Sequence, residues 1–188
     1  MVEVKFSRVL CGLCCLCLVG TASAEGKYRL GKVVHDDQIA SWNIDVAPDG
    51  KALPPGRGAV QDGEKIYETT CLACHGPNLE GGMGPPLMGG KGSLTSAKPL
   101  KTIGSYWPYA TTLFDYIRRA MPFQQPQSLS NDQVYAVTGY LLYRNGIIRQ
   151  DSVLDAEVLR SVVMPNAGAF YTDDRPDVKV TACYTACK

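Results

Sequence analysis

Cys71-Leu72-Ala73-Cys74-His75 is the stretch on which the reading of this chain turns. Two cysteines separated by two residues and followed at once by a histidine form the attachment signature of c-type haem. The spacing has a mechanical reason. Thiols at this separation reach the two vinyl groups on neighbouring edges of one haem, and the imidazole of the next residue then points at the iron. Cys71 and Cys74 are therefore the expected thioether residues and His75 the expected axial ligand. A bare Cys-x-x-Cys also suits a zinc half-site or a thiol redox pair. Zinc would need a second Cys or His pair, but the only other histidine is His35, and Cys183 and Cys187 lie more than a hundred residues downstream. A thioredoxin-like pair would sit in a βαβ setting, which the flanking pattern lacks.

Outward from the motif, residues 61–77 read as a helix running into it, with Gly63, Ile66, Tyr67 and Thr70 at helical spacing. Residues 78–105 are rich in Gly and Pro, hold little periodicity and read as loop. Residues 109–120 read as a second helix, with Leu113, Tyr116, Ile117 and Ala120 on one face. Met121-Pro122 comes next, and Ser130 or Asn131 then caps a third helix through Tyr143, with Val134, Val137, Leu141 and Leu142 as its apolar stripe. No stretch alternates strongly enough to read as a strand.

A haem that carries electrons is usually closed by a second protein ligand, and methionine sulfur favours Fe(II) and raises the potential. Met121 is the best candidate for that ligand. It stands just after a helix, and Pro122 stiffens the loop behind it. Met83 and Met88 lie close after His75, so their loop is expected to cover a haem edge. Met164-Pro165 repeats the dipeptide and is the rival. Trp107 and Tyr109 precede the helix leading to Met121 and are expected to wall the haem pocket. Arg118 and Arg119 are candidates for a haem propionate, with a solvated helix face as the plainer reading for at least one of them. His35 reads as an exposed leader residue.

The ends of the chain have their own character. Lys5 and Arg8, the apolar run Val9 to Gly20 and Ala22-Ser23-Ala24 make residues 1–24 a secretory signal peptide. The apolar run is well short of the ~20 residues that a membrane span needs. Removing Lys5, Arg8 and Glu3 from totals of 19 basic and 18 acidic side chains leaves 17 of each. That balance gives no argument for nucleic acid or an acidic membrane surface. Cys71, Cys74, Cys183 and Cys187 remain, in an oxidising compartment. On a helix, the spacing of Cys183 and Cys187 gives a Cα separation of roughly 6 Å, inside the disulfide range, so a local bridge is the first reading. The expected organisation is a leader at 25–60, with Asp36 or Asp37 capping a short helix through Trp42, a haem domain at 61–146, and a tail at 147–188 with a short helix near Asp155 to Ser161. Leader and tail exceed what an isolated carrier needs, so they are expected to wrap the haem domain and form part of a docking surface.

These residues resemble class I cytochromes c. The attachment motif, Gly84-Pro85-x-Leu87, and Met121-Pro122 before a closing helix are the shared landmarks. The resemblance implies an all-α helical fold around one covalent haem c, with extended N- and C-terminal segments. It implies that the carbonyl of Pro85, with Pro86 as the neighbouring alternative, accepts a hydrogen bond from the proximal imidazole. It implies that the first and last helices cross, with Gly63 allowing close approach and Tyr67 and Tyr140 in contact. The segment Lys101 to Thr112 (Lys-Thr-Ile-Gly-Ser-Tyr-Trp-Pro-Tyr-Ala-Thr-Thr), Ser128-Leu129-Ser130, the leader Ile39 to Val46 and Met164-Pro165-Asn166 narrow the likeness. They look like the cytochrome subunit of the sulfur-oxidation (Sox) sulfane dehydrogenase and are similar to that of periplasmic sulfite dehydrogenases. Some members of that group carry a second haem domain, whereas this chain has one attachment motif.

In such a complex a molybdenum subunit oxidises sulfane sulfur or sulfite, passes electrons singly to this haem, and the haem reduces a soluble cytochrome. The molybdenum cofactor would belong to the partner alone, and the location would be the periplasm. A free-standing periplasmic carrier is the alternative. A catalytic or sensory haem protein, whose Met121 dissociates, is the third reading. No residue cluster suggests hydrolysis or group transfer.

Overall fold

The computed structural model describes residues 31–174, and its fold is organised by a contact between two helices. Helix α2 (Val60–Ile66) packs against α5 (Asn131–Arg144). A Cβ on Gly63 would overlap the backbone oxygen of Ala136 and sit 2.9 Å from Tyr140 Cβ, so only glycine allows this crossing. Tyr67 and Tyr140 meet beside it, ring centroids 5.4 Å apart, as the resemblance implies.

The helix entering the motif is continuous in path but not in type. After α2 comes a π-helical turn (Tyr67–Cys71) and then α3 (Leu72–His75). Such wide turns recur at functional sites. Gly76 ends the run at φ +79°, and its carbonyl accepts the Tyr67 hydroxyl at 2.6 Å. Residues 77–109 contain no helix or strand, in keeping with their Gly and Pro content.

Helix α4 (Ala110–Ala120) and α5 come next, as expected. Ser130 is the cap of α5. It accepts from Gln133 N, and the Gln133 side chain returns to Ser130 N, a reciprocal box that satisfies two otherwise orphan donors. Every residue of α5 from Val134 to Leu142 is buried, so the helix is central rather than striped.

The structure adds a short sheet. Strands β1 (Arg57–Ala59) and β2 (Val153–Asp155) pair antiparallel with Gly58 opposite Leu154. At three residues each they are too short to show alternation. Gly58 is needed there, because a Cβ would overlap Ala136 N. Asp155 then caps α6 (Ala156–Ser161), accepting from Glu157 N and Val158 N. Leu154, Leu159 and Met164 from the tail and Val46 from the leader join the same buried cluster as Val60, Phe114 and Leu142.

Helix α1 (Asp36–Ile39) is shorter than the expected run to Trp42, and none of its residues is buried. A helix this short without an apolar face against a core has little to extend it. The signal segment 1–24 and the pair Cys183 and Cys187 lie outside the described residues. Among the described residues, no helix is long and apolar enough to cross a membrane.

Candidate functional site

The attachment helix, the Gly/Pro loop after it and α4 enclose a cavity of about 660 Å³, within the ~300–1,000 Å³ usual for cofactor pockets. Cys71, Cys74, His75, Pro85, Trp107 and Met121 all line it, so residues far apart in sequence are brought to one space. Apolar walls come from Leu87, Ile103, Leu113, Ile117, Val137 and Leu141.

The histidine is held by its own downstream loop. His75 Nδ1 lies 2.8 Å from the carbonyl oxygen of Pro85. With Nδ1–H donating there, Nε2 keeps its lone pair for a metal. Pro85 is thus the acceptor, not Pro86. The loop is laced back onto the helix end: Gly84 N donates to Cys74 O at 2.9 Å and Gly81 N to His75 O at 2.8 Å. These bonds satisfy carbonyls that a helix end leaves open. The loop also approaches very closely, for a Cβ on Gly84 would stand 2.8 Å from His75 Cε1. Asn145, just past α5, donates to Leu87 O at 3.2 Å and fixes the far end of the same loop.

The Cys71 thiol is not poised as a nucleophile. Burial, followed by the neighbouring Cys74, pushes the Cys71 thiol up to about 11. Redox-active cysteines have depressed values and an electropositive setting, so Cys71 does not suit the attacking role in thiol–disulfide exchange. Burial, with Cys71 next, also raises the Tyr67 hydroxyl to about 12. Among the described residues no three His, Cys, Asp or Glu gather into a cluster of metal-ligand type.

Among the methionines, Met121 lines the cavity at the C-terminus of α4, its N–H donating to Ile117 O at 3.0 Å. Met83 also lines it but is 85% exposed. Met88 packs against the core, and Met164 is buried within it; neither reaches the cavity. Trp107 lines the cavity and meets Tyr116 edge-on, centroids 5.9 Å apart. Tyr109 is not brought to the cavity; it precedes α4 and is 44% exposed. Arg118 and Arg119 are not on the lining either. Arg118 donates to Ile44 O at 2.7 Å, and Arg119 pairs with Asp115. His35 is exposed.

Sequence reasoning missed Lys101. Among the described residues it is the one lysine or arginine on the cavity lining, with no carboxylate beside it there, and its Nζ sits 4.8 Å from the Tyr106 ring centroid. Its place before Thr102, whose hydroxyl donates to Gly89 O, put it on the loop wall; nothing in composition or period marks that. A haem, an apolar ring with two carboxylates, fits these residues: apolar walls, paired thiols, an oriented imidazole, a thioether and one cation.

Residues 58–141 match the family model described as cytochrome C oxidase, cbb3-type, subunit III. A chain in the crystal structure of the sulfane dehydrogenase SoxCD from Paracoccus pantotrophus superposes with a TM-score of 0.73 at 46% identity. That match covers 82% of this chain and 76% of the other. A thiosulfate dehydrogenase of Allochromatium vinosum is 28% identical over 120 residues, which are 60% of this chain and 38% of that protein. The chain thus spans well under half the length of that curated relative.

Proposed function

Since the chain belongs to the class I c-type cytochromes, in the group related to the sulfane dehydrogenase SoxCD, we propose that it is the electron-accepting subunit of a molybdenum-dependent sulfur-compound dehydrogenase. Haem binding and electron transfer come with the family. The finer reading is that sulfane sulfur or sulfite is oxidised on the partner, that one haem is carried here, and that a soluble cytochrome c takes the electrons away. The observation that carries it is the cavity in which Cys71, Cys74, His75 and Met121 meet within apolar walls.

When bound, haem supplies an iron that takes up and releases one electron. Cys71 and Cys74 would hold the group covalently, through thioether bonds to its two vinyl substituents. His75 offers Nε2, held in its tautomer by the Pro85 carbonyl. Met121 would offer its sulfur as the second protein ligand, which would leave no room on the iron for small ligands. Trp107 and the aliphatic walls would exclude water, and Lys101, on the lining, would offer a cation to a carboxylate of the group.

On this reading residues 1–24 direct export to the periplasm, 61–146 form the haem domain, and 25–60 and 147–174 with the remaining tail are its extensions. Exposed aromatic residues in those extensions, Trp42 and Tyr171, suit a docking surface. The test is affinity purification from periplasm, with molybdenum analysis and a thiosulfate or sulfite assay on the eluate. Co-elution with a molybdenum-containing subunit, and reduction of the haem by the sulfur compound, is the expected result. Elution alone, without molybdenum, would establish the free-standing carrier instead.

A further inference from the structure

Helix α4 carries two functional stripes. Leu113, Tyr116 and Ile117 look into the cavity, and Met121 comes just after them. A second stripe, Thr111, Asp115 and Arg118, lies at the i, i+4, i+7 spacing of one helix face. All three hold a single short segment of the leader. Thr111 Oγ1 donates to Pro48 O at 2.7 Å, Asp115 Oδ1 accepts from Val46 N at 2.8 Å, and Arg118 donates to Ile44 O at 2.7 Å. Each turn of the helix is therefore tied to the backbone of Ile44–Pro48, and Val46 is inserted in the core between the ties.

Asp115 is the unusual member. Its residue is 5% exposed, and a buried carboxylate is tolerated only when paired and hydrogen-bonded. It has both kinds of partner. Besides Val46 N, it accepts from Arg119 through two bonds, Nε to Oδ1 at 2.9 Å and Nη2 to Oδ2. One carboxylate thus joins the leader to a residue two positions before Met121. A neutral residue would fill the same space without the burial cost, so a carboxylate here suits a role in fixing geometry.

We propose that Ile44–Pro48 is a strap that sets the placement of α4, and that Asp115 is the positioning residue through which it holds the Met121 sulfur on the iron. The proposal rests on the reading of Met121 as the axial ligand. The strap acts on how often that bond opens, without touching the haem. Loss of a supporting partner at a metal site typically weakens ligation about 10–100-fold.

The experiment uses the full-length holoprotein and four variants: Asp115→Asn, the double Thr111→Val/Arg118→Met, Asp155→Ala and Met121→Ala. Asp115→Asn keeps an acceptor for Val46 N but loses the charged pair. The double variant leaves Asp115 intact and removes the flanking ties. Asp155→Ala removes the cap of α6, an element that packs against α4 but makes none of the three ties. The readouts are carbon monoxide binding to the ferrous protein, the ferric methionine–iron band near the red edge, and the midpoint potential, each well below the unfolding transition. Asp115→Asn and the double variant should each bind carbon monoxide about tenfold more readily, with a weaker band and a lower potential, and Asp155→Ala should match the parent. Parental behaviour of both strap variants would overturn the proposal, as would an equal effect from Asp155→Ala, which would mark general loosening. A band that survives in Met121→Ala would overturn the ligand assignment, and the proposal with it; loss of that band with unmoved strap variants would overturn the strap alone.

Discussion

The two residues proposed as axial ligands are held in opposite ways. His75 is held by the loop that begins directly after it: the Pro85 carbonyl takes its ring nitrogen, and Gly81 and Gly84 lace the loop to the last carbonyls of the helix. Each of these partners lies within ten residues of His75. Met121 is held at a distance, through α4, by ties to Pro48, Val46 and Ile44 that span 63 to 74 positions of chain. Local closure costs little chain entropy and forms early, whereas distant closure waits on the rest of the fold. The proximal side is therefore the firm side, and the Met121 side is the one that a mutation elsewhere can loosen.

The strongest way to break that contrast is to remove its anchor. Replacing both Cys71 and Cys74 by alanine should abolish covalent haem altogether, read as loss of haem signal in the denatured chain on a gel. Met121→Ala comes next. Haem should stay attached, the red-edge ferric band should vanish, and the potential should fall, as measured by redox titration. Gly84→Ala attacks the proximal side without deleting a ligand. Its Cβ would crowd His75 Cε1 at 2.8 Å, and overpacking of this kind costs about 1–3 kcal/mol, checked by denaturant melts of the holoprotein. If the proximal side is the firm one, Gly84→Ala should lower stability while leaving the methionine–iron band in place.

The smallest expected effect is a pH dependence. Tyr67 rises from 10.0 to about 12 in the folded chain, mainly through burial. The folded state therefore keeps this proton when the unfolded chain has begun to lose it. The resulting stability is complete below pH 10 and is lost progressively as pH climbs toward 12. Tyr67→Phe should flatten the alkaline decline over that window in thermal melts, at the cost of the bond to Gly76 O at all pH values.

The same contrast explains what could be read in advance. Cys71 to His75, Pro85 and the Ser130 cap are signals spaced by a few residues, where covalent geometry and local hydrogen bonding dictate the residue type. The place of Met121 on the cavity was legible because a helix end and a proline mark it. Lys101, the β1–β2 pair and the Asp115 stripe were not. Each depends on where a distant segment comes to rest, and a buried Asp on a helix looks in sequence like an ordinary exposed one. Arg118 and Arg119 show the error in its plainest form: their charge suggested the haem, but their partners are the leader and their own helix. Met164 likewise repeats Met-Pro, yet the tail that carries it enters the core rather than the cavity.

The central claim is a closed electron-carrying haem with Met121 on the iron. Exposing the reduced, native holoprotein to carbon monoxide tests it most directly. The absorption spectrum of the parent protein should stay unchanged, and Met121→Ala should bind the gas promptly. Prompt binding in the unmodified protein, without unfolding, would contradict the claim and point to an open, catalytic or sensory haem.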